Sequence, residues 1–296
     1  MRPTLSPYGE GVDLEYLRTH PQNIGRLLTH QRIRTTPVPG GDSCTAERLT
    51  LDDGTDMFAK SLAGAPDGFF AAEAAGLRWL AAAGTVPVPE VVAVTGELLV
   101  LEWVPPGAPS VSAAEGLGRG LAELHRAGAD GFGAPAPGFI GSLPLDNTPA
   151  ASWPEFYAER RVRPYLRAAR DRGALSEEDA AAIERVLDRL DVPVEPPARL
   201  HGDLWSGNLH WAADGRAWLV DPAAHGGHRE TDLAMLTLFG APHLDRIVTA
   251  YEEVSPLAAG WRDRVGVHQL HPLLVHAVLF GGGYGARAAA AARGYS

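Results

Sequence analysis

Three oxygen-bearing side chains in one short region carry the chemistry of this sequence. They are Asp203, Asn208 five positions on, and Asp221 eighteen positions after Asp203. The first two sit in His201-Gly202-Asp203-Leu204-Trp205-Ser206-Gly207-Asn208, the third in Asp221-Pro222. A proline-rich break, Pro193 to Pro197, and a short Ala198-Arg199-Leu200 precede them, and the strand-like run Ala217-Trp218-Leu219-Val220 leads into Asp221. A strand–turn–strand gathers residues at strand ends, so the three could converge on one divalent cation and one reacting hydroxyl. Hard carboxylate and carboxamide oxygens suit magnesium shared with phosphate oxygens. Asp to Asn at five, followed by a strand-end Asp, is the spacing of phosphoryl-transfer sites. Either Asx residue alone could simply close a turn; the three together point to a site.

A phosphate site also needs fixed positive charge. Lys60 is the only lysine among 26 basic residues, the others being arginine. The arginine, alanine and glycine bias reads as bulk composition, and one lysine kept against it invites a reason. An ammonium is a compact point charge whose approach to a phosphate the broad guanidinium fork does not replace. Lys60 ends the strand-like Asp56-Met57-Phe58-Ala59-Lys60. That run is the second arm of a hairpin, with Ala46 to Leu51 as the first arm and Asp52-Asp53-Gly54-Thr55 as the turn. Gly40-Gly41, ahead of the hairpin, could bring backbone N–H groups to a phosphate, although the full G-x-G-x-x-G is absent. Phe69, Phe70, Glu73, Ala74, Leu77, Leu80 and Ala81 recur at helical spacing. Glu73 on that apolar helix is expected to pair with Lys60, the alternative being a solvated carboxylate.

These groups must be held by two kinds of structure. Up to Trp103 the chain is strand-rich, with Val91 to Val94 and Leu98 to Trp103 as further strands; after Val104-Pro105-Pro106-Gly107 it is mainly helical. The expected division is residues 1–104, a sheet plus the Glu73 helix, and residues 105–296, mainly helical, with a ligand cleft between. Glu102 and Val104 would line the cleft and offer backbone groups to a planar base. Ser112 to Ala127 reads as a helix with Ser112 as N-cap and Glu115 completing a capping box. Its last turn holds His125, read as structural. Gly131 to Asn147 reads as loop. Trp153 begins an amphipathic helix whose Arg160, Arg161, Arg163, Arg167 and Arg170 are expected to form a solvated, stem-packed face, the alternative being a basic face for a substrate phosphate. His225 and His228 raise the idea of a zinc site, which the lack of nearby cysteine argues against. Glu230 and Asp232 sit where a helix N-terminus favours negative charge. Residues 13–17 and 24–28 suggest short helices without chemistry.

Composition removes other classes. At 296 residues, 45% hydrophobic and 21% charged, the chain reads as an ordinary soluble globular protein. A net charge of −10 argues against nucleic acid or an anionic membrane as partner. No apolar run approaches the roughly 20 residues of a transmembrane helix, and the first residues lack the apolar core of a signal peptide. Cys44 is the only cysteine, so no intramolecular disulfide can form and a cytoplasmic location is expected. Because Cys44 lies beside Gly40-Gly41, an intermolecular disulfide there would make activity redox-sensitive; an inert thiol is the alternative.

The motifs together resemble the fructosamine kinase (ketosamine kinase) family, in the aminoglycoside-phosphotransferase branch of protein-kinase-like folds. The resemblance rests on His201 to Asn208, Asp221-Pro222-Ala223, Gly226 to Leu233, Trp153 with Phe156 to Arg160, and Lys60 with Glu73, in order across roughly residues 36–285. The Asp-Leu-Trp-x-Gly-Asn form is its discriminating part. Two departures stand out: the glycine-rich loop is reduced to Gly40-Gly41, and the second metal motif is Asp-Pro-Ala. The resemblance implies an α+β, bilobal kinase-like fold with a small β-rich N-lobe and a larger helical C-lobe. It implies ATP and magnesium as cofactors and a glycated amine, free or protein-bound, as acceptor, phosphorylated on the sugar 3-hydroxyl in a deglycation repair. Asp203 would be the catalytic base, Asn208 and Asp221 the metal ligands, Lys60 the phosphate contact placed by Glu73, and Trp205 a flat wall for the sugar–amine. A phosphotransferase of the same fold acting on aminoglycosides, or a non-catalytic binding protein of that shape, are the alternatives.

Overall fold

A computed structural model describes residues 33–39 and 44–295. Gly40, Gly41 and the short helices expected at 13–17 and 24–28 lie outside the described residues. The first half is a five-stranded antiparallel sheet built from β1 (Ile33–Pro37), β2 (Thr45–Leu51), β3 (Asp56–Ser61), β4 (Val91–Val94) and β5 (Leu98–Glu102), in the order β1-β2-β3-β5-β4. The helix α1 (Phe69–Ala81) connects β3 to β4. The apolar run of β5 is buried on both faces. Leu98 and Val100 pack with Leu49, Leu51 and Met57, while Leu99 and Leu101 pack under Phe70, Ala74 and Leu77 of α1. A period of two in the strand and of 3.6 in the helix make this two-sided packing possible.

The second half is mainly helical. Its elements are α2 (Val111–Arg126), the hairpin β6 (Gly138–Ile140) and β7 (Leu143–Leu145), α3 (Trp153–Phe156), a π-helical turn (Tyr157–Val162), α4 (Arg163–Asp171) and α5 (Glu177–Leu187). The strands β8 (Ala198–Leu200), β9 (Leu209–Trp211), β10 (Ala217–Leu219) and β11 (His225–Gly227) follow. Then come α6 (Glu230–Phe239), α7 (Leu244–Val254), α8 (Trp261–His268), α9 (Leu270–Phe280) and α10 (Tyr284–Gly294). No helix among the described residues is long and apolar enough to cross a membrane.

Two cores fill this half. One joins α4, α5, α9 and α10 through Leu166, Ile183, Leu274 and Ala288. The other joins α2, α6 and α7 through Leu117, Leu121, Leu233, Ile247 and Tyr251, and it also takes in Leu204 and Leu219. Burying Leu204 contributes roughly 1.5–3 kcal/mol and pins the loop that carries Asp203. The α2–α7 approach is close enough that a Cβ at Gly118 would collide with the Ile247 carbonyl.

Three expectations change. The N-cap of α2 is Ser110, whose hydroxyl accepts from the Ala113 N–H at 3.2 Å. Ser112 is one residue inside the helix because the chain turns helical at Val111; Glu115 pairs with Arg246 instead of closing a capping box. The arginine row after Trp153 is not uniformly solvated. The π turn rotates Arg161 inward, where it is 2% exposed, donates to the Asp146 carbonyl and Asn147 Oδ1, both at 2.5 Å, and lies over the Phe156 ring. Burial with no carboxylate in direct contact holds its guanidinium down to about 9. Finally, the expected loop at 131–147 contains the β6–β7 hairpin, whose Phe139 meets Phe69 of α1 edge to face.

Candidate active site

The cleft between sheet and helices is lined by Lys60, Glu73, Glu102, Val104, Asp203, Trp205, Asn208 and Asp221, and holds about 1800 Å³. That exceeds the roughly 300–1,000 Å³ of a single small-molecule site, leaving room for two ligands side by side. The strands bring the expected residues together. Leu209 of β9 pairs with Leu219 of β10, which sets Asn208 beside the Val220–Asp221 segment, and the Val220 N–H donates to the Asn208 carbonyl at 3.1 Å. Asn208 Nδ2 donates to the Asp203 carbonyl at 2.8 Å and to Asp203 Oδ2 at 3.0 Å. With Nδ2 committed to Asp203, the Asn208 carboxamide oxygen is the atom left to face a cation. Asp221 adopts a left-handed backbone, φ 56°, sparsely populated outside glycine and a recurrent feature of functional sites.

Lys60 reaches across from β3. Its ammonium donates to Glu73 Oε1 at 2.9 Å and is also bonded to Asp221 Oδ1. The second Asp221 carboxylate oxygen remains for a metal, so one oxygen each from Asn208 and Asp221 fits a hard cation that completes its shell with phosphate and water. The α1 helix that carries Glu73 seats on the Asp221 loop. A Cβ at Gly76 would lie 3.3 Å from Pro222 and 3.2 Å from Ala224. Arg199 of β8 adds a clamp, donating to the Trp79 carbonyl of α1 at 2.8 Å and stacking on that indole.

Asp203 sits on a braced loop. Gly202 has φ +82° and presses on the Ala223 carbonyl, so a side chain there would both strain the backbone and collide. The N–H groups of His201 and Gly202 donate to the two oxygens of Asp232 on α6, at 2.8 and 3.0 Å. Asp232 also meets His125 Nε2 at 3.2 Å, and His125 Nδ1 meets the Tyr251 hydroxyl at 2.8 Å. Burial pushes Asp232 upward, but the His125 bond, the charges of His125 and His201 and the Gly202 N–H outweigh it, and its carboxyl is held below its ordinary value. Burial also raises Asp203, and there it wins: desolvation, against a weaker lowering by the Asn208 hydrogen bond and helped by the Asp232 charge, lifts its carboxyl to about 7. A carboxylate with proton affinity near neutrality, in reach of the cleft, can accept a hydroxyl proton.

Trp205 faces the cleft with 37% of its surface exposed. Its indole lies over Gly207, where any Cβ would overlap the ring, and it meets Phe239 edge to face with centroids 5.9 Å apart. The Phe239, His276 and Phe280 rings continue the wall at 5.0 and 5.5 Å spacings. Val104 is placed as expected, with one correction: its carbonyl is engaged by His210 Nε2 at 2.9 Å, so only its N–H is open to a ligand. Cys44 is half-buried, and burial raises its thiol, which lowers the thiolate fraction needed for exchange.

Sequence reasoning missed Asp232 as the brace of the Asp203 loop, and missed His210, Arg199, Phe239 and His276. Asp232 left one signal: an acid set in the apolar Leu233-Ala234-Met235-Leu236 helix invites a buried partner. The others depend on contacts between distant segments and left none. The histidine idea also shifts. His228, Glu230 and His268 cluster in the interior, but both Glu230 oxygens take bonds from Arg264, at 2.9 and 2.5 Å. A guanidinium held there opposes a cation, and the trio reads as a buried hydrogen-bonded support for α6.

Comparison with known proteins agrees with this geometry. The fructosamine kinase family model matches residues 20–294. The chain is 39% identical over 250 residues to a protein of Thermus thermophilus described as a probable ketoamine kinase, covering 84% of this chain and 88% of that protein. The crystal structure of a candidate fructosamine-3-kinase from Thermobifida fusca superposes with a TM-score of 0.88 at 48% identity, covering 96% of this chain and 99% of the other. Choline kinase LicA from Streptococcus pneumoniae, at 14% identity, shares the fold with a TM-score of 0.59, covering 95% and 99% of the two chains. The fold is therefore the α+β kinase-like one, and the protein is a kinase, a phosphotransferase. The chain belongs to the fructosamine kinase family.

Proposed function

We propose that the protein transfers the γ-phosphate of ATP to the 3-hydroxyl of a ketoamine, the adduct of a sugar on lysine or another amine, and so initiates deglycation. The observation that carries this reading is the continuous chain of contacts Glu73–Lys60–Asp221 and Asn208–Asp203, with the Trp205 wall beside it in one cleft. Residues 1–104 serve as the nucleotide-binding unit and residues 105–296 as the catalytic and acceptor unit. Lys60, oriented by Glu73, contacts the α/β-phosphates. The connector at Glu102 to Val104 receives the adenine. Asn208 and Asp221 would hold magnesium, which would supply neutralising charge to the transferring group.

Asp203 orients the acceptor hydroxyl and takes its proton as the oxygen bonds to the γ-phosphorus and ADP departs. The protein's share is positioning and charge stabilisation. Trp205, with Phe239 behind it, gives the sugar–amine a flat apolar face. The single Cys44 supports a reducing, cytoplasmic setting for such repair. The test is transfer from labelled ATP to a panel of ribulose-amines, fructose-amines and aminoglycosides. Label on the ketoamines is expected. Label on aminoglycosides alone would replace the acceptor class, and no transfer to any acceptor would point to a binding protein.

A further inference from the structure

The connector between the two halves is held by the β9–β10 hairpin. The Gly107 N–H donates to the Trp211 carbonyl at 2.7 Å, and the Ala213 N–H donates to the Pro105 carbonyl at 2.8 Å. Gly107 is pressed so closely on Ala212 that a side chain would collide with its carbonyl. These bonds secure the downstream end of the connector. Its ligand-facing end is different, because Pro105 and Pro106 have no N–H to donate and cannot extend the ladder upstream. Val104 is instead reached by a side chain: His210 of β9, also a cleft residue, places Nε2 2.9 Å from the Val104 carbonyl. A carbonyl only accepts, so Nε2 carries the proton in this bond. The Val104 N–H donates to no acceptor among the described residues.

We propose that His210 is a base-selectivity residue: by capping the Val104 carbonyl it leaves Val104 a donor only, which matches adenine N1 and mismatches the N1–H of 6-oxopurines. This rests on the reading of the cleft as an ATP site. Adenine N1 carries a lone pair and accepts from an N–H. Hypoxanthine and guanine carry a hydrogen on N1, which needs an acceptor, and the Val104 carbonyl beside that N–H is already occupied by His210. A base that buries a donor against a donor leaves both unpaired, which costs far more than a slightly longer bond. His210 touches no reacting atom; it acts through Val104, as a positioning residue.

The experiment is calorimetric titration of ATP, GTP and ITP, each with magnesium, into the wild-type protein and the His210→Ala and His210→Gln variants. Wild type is expected to prefer ATP over ITP. His210→Ala should narrow that preference about tenfold, the size expected for one exposed or capped hydrogen-bonding group. His210→Gln, whose side-chain amide can still donate to Val104, should restore most of it. A general loosening of the connector would weaken ATP and ITP together and leave their ratio unchanged, and that result would overturn the inference, as would a wild type that binds ATP and ITP equally. If wild type binds none of the three, the nucleotide reading itself fails, a result distinct from either of these.

Discussion

Replacing Asp203 by asparagine separates chemistry from stability at one position. The substitution keeps the shape, and an amide oxygen can still accept from Asn208 Nδ2, but nothing remains to take the hydroxyl proton. Turnover should fall by about 10³ or more while nucleotide still binds. The stability effect has the opposite sign. A folded carboxyl held at about 7, against 3.8 ordinarily, favours the folded state fully below the unfolded value, and that advantage is lost as pH rises through 7. The limiting penalty at high pH is about 4 kcal/mol, at about 1.4 kcal/mol per tenfold in proton affinity. Because Asp203 is only partly buried, water relieves much of this, and roughly 1–2 kcal/mol should remain.

Removing the charge should therefore raise Tm at pH 8.5 by roughly 2–5 °C, and the gap should shrink as the pH is lowered to 6. Thermal melts without nucleotide or metal, paired with transfer assays on the same preparations, read both effects. A variant that turns over near normally would remove Asp203 from the base role. A variant that melts lower than wild type at pH 8.5 would show that the carboxylate is not desolvated in the folded state.

Other consequences follow from the same geometry. In the unsubstituted protein, kcat/KM should fall about tenfold per pH unit below about 7; a flat profile down to pH 5 would contradict the raised carboxyl. Lys60→Arg keeps the charge but cannot fit between Glu73 and Asp221, so transfer should drop about 10²-fold; an unaffected rate would make the lone lysine incidental. Gly207→Ala forces the Trp205 indole off its seat, and should raise the acceptor KM with little change in ATP KM or Tm; equal losses for both substrates would place the indole outside the acceptor half. Asp232→Ala strips the acceptor from the buried His201 N–H and the half-buried Gly202 N–H and should cost roughly 2–4 kcal/mol by chemical denaturation; a loss under about 0.5 kcal/mol would mean that the Asp203 loop does not depend on it.

The candidate site was legible because it is written in short runs. Asp203, Asn208 and Asp221 lie close in sequence, and a β-hairpin between them is a local structure with a local signal. Lys60 could be singled out by composition alone, and Glu73 by being a charge on an apolar helical stripe, so their 2.9 Å pair was anticipated without knowing how α1 sits. Where expectations slipped, a local pattern had more than one solution. Ser110 and Ser112 can both cap a helix, and the choice fell to the residue at which the backbone turns helical. The arginine row obeyed a helical period until a π turn inserted one extra residue and swung Arg161 into the interior.

By itself, then, the sequence pointed to the candidate reacting groups, the change from sheet to helices near Val104, and the family. Only the tertiary structure decided what orients those groups: Asp232 under the Asp203 loop, Arg199 across to α1, Phe239 behind Trp205 and His210 on the Val104 carbonyl. The physical reason is range. Reactive residues at strand ends are gathered by nearest-neighbour pairing, which leaves a pattern in the chain. Their supports come from segments that meet only when the helices pack, and a single buried hydrogen bond between distant segments has no spacing to read.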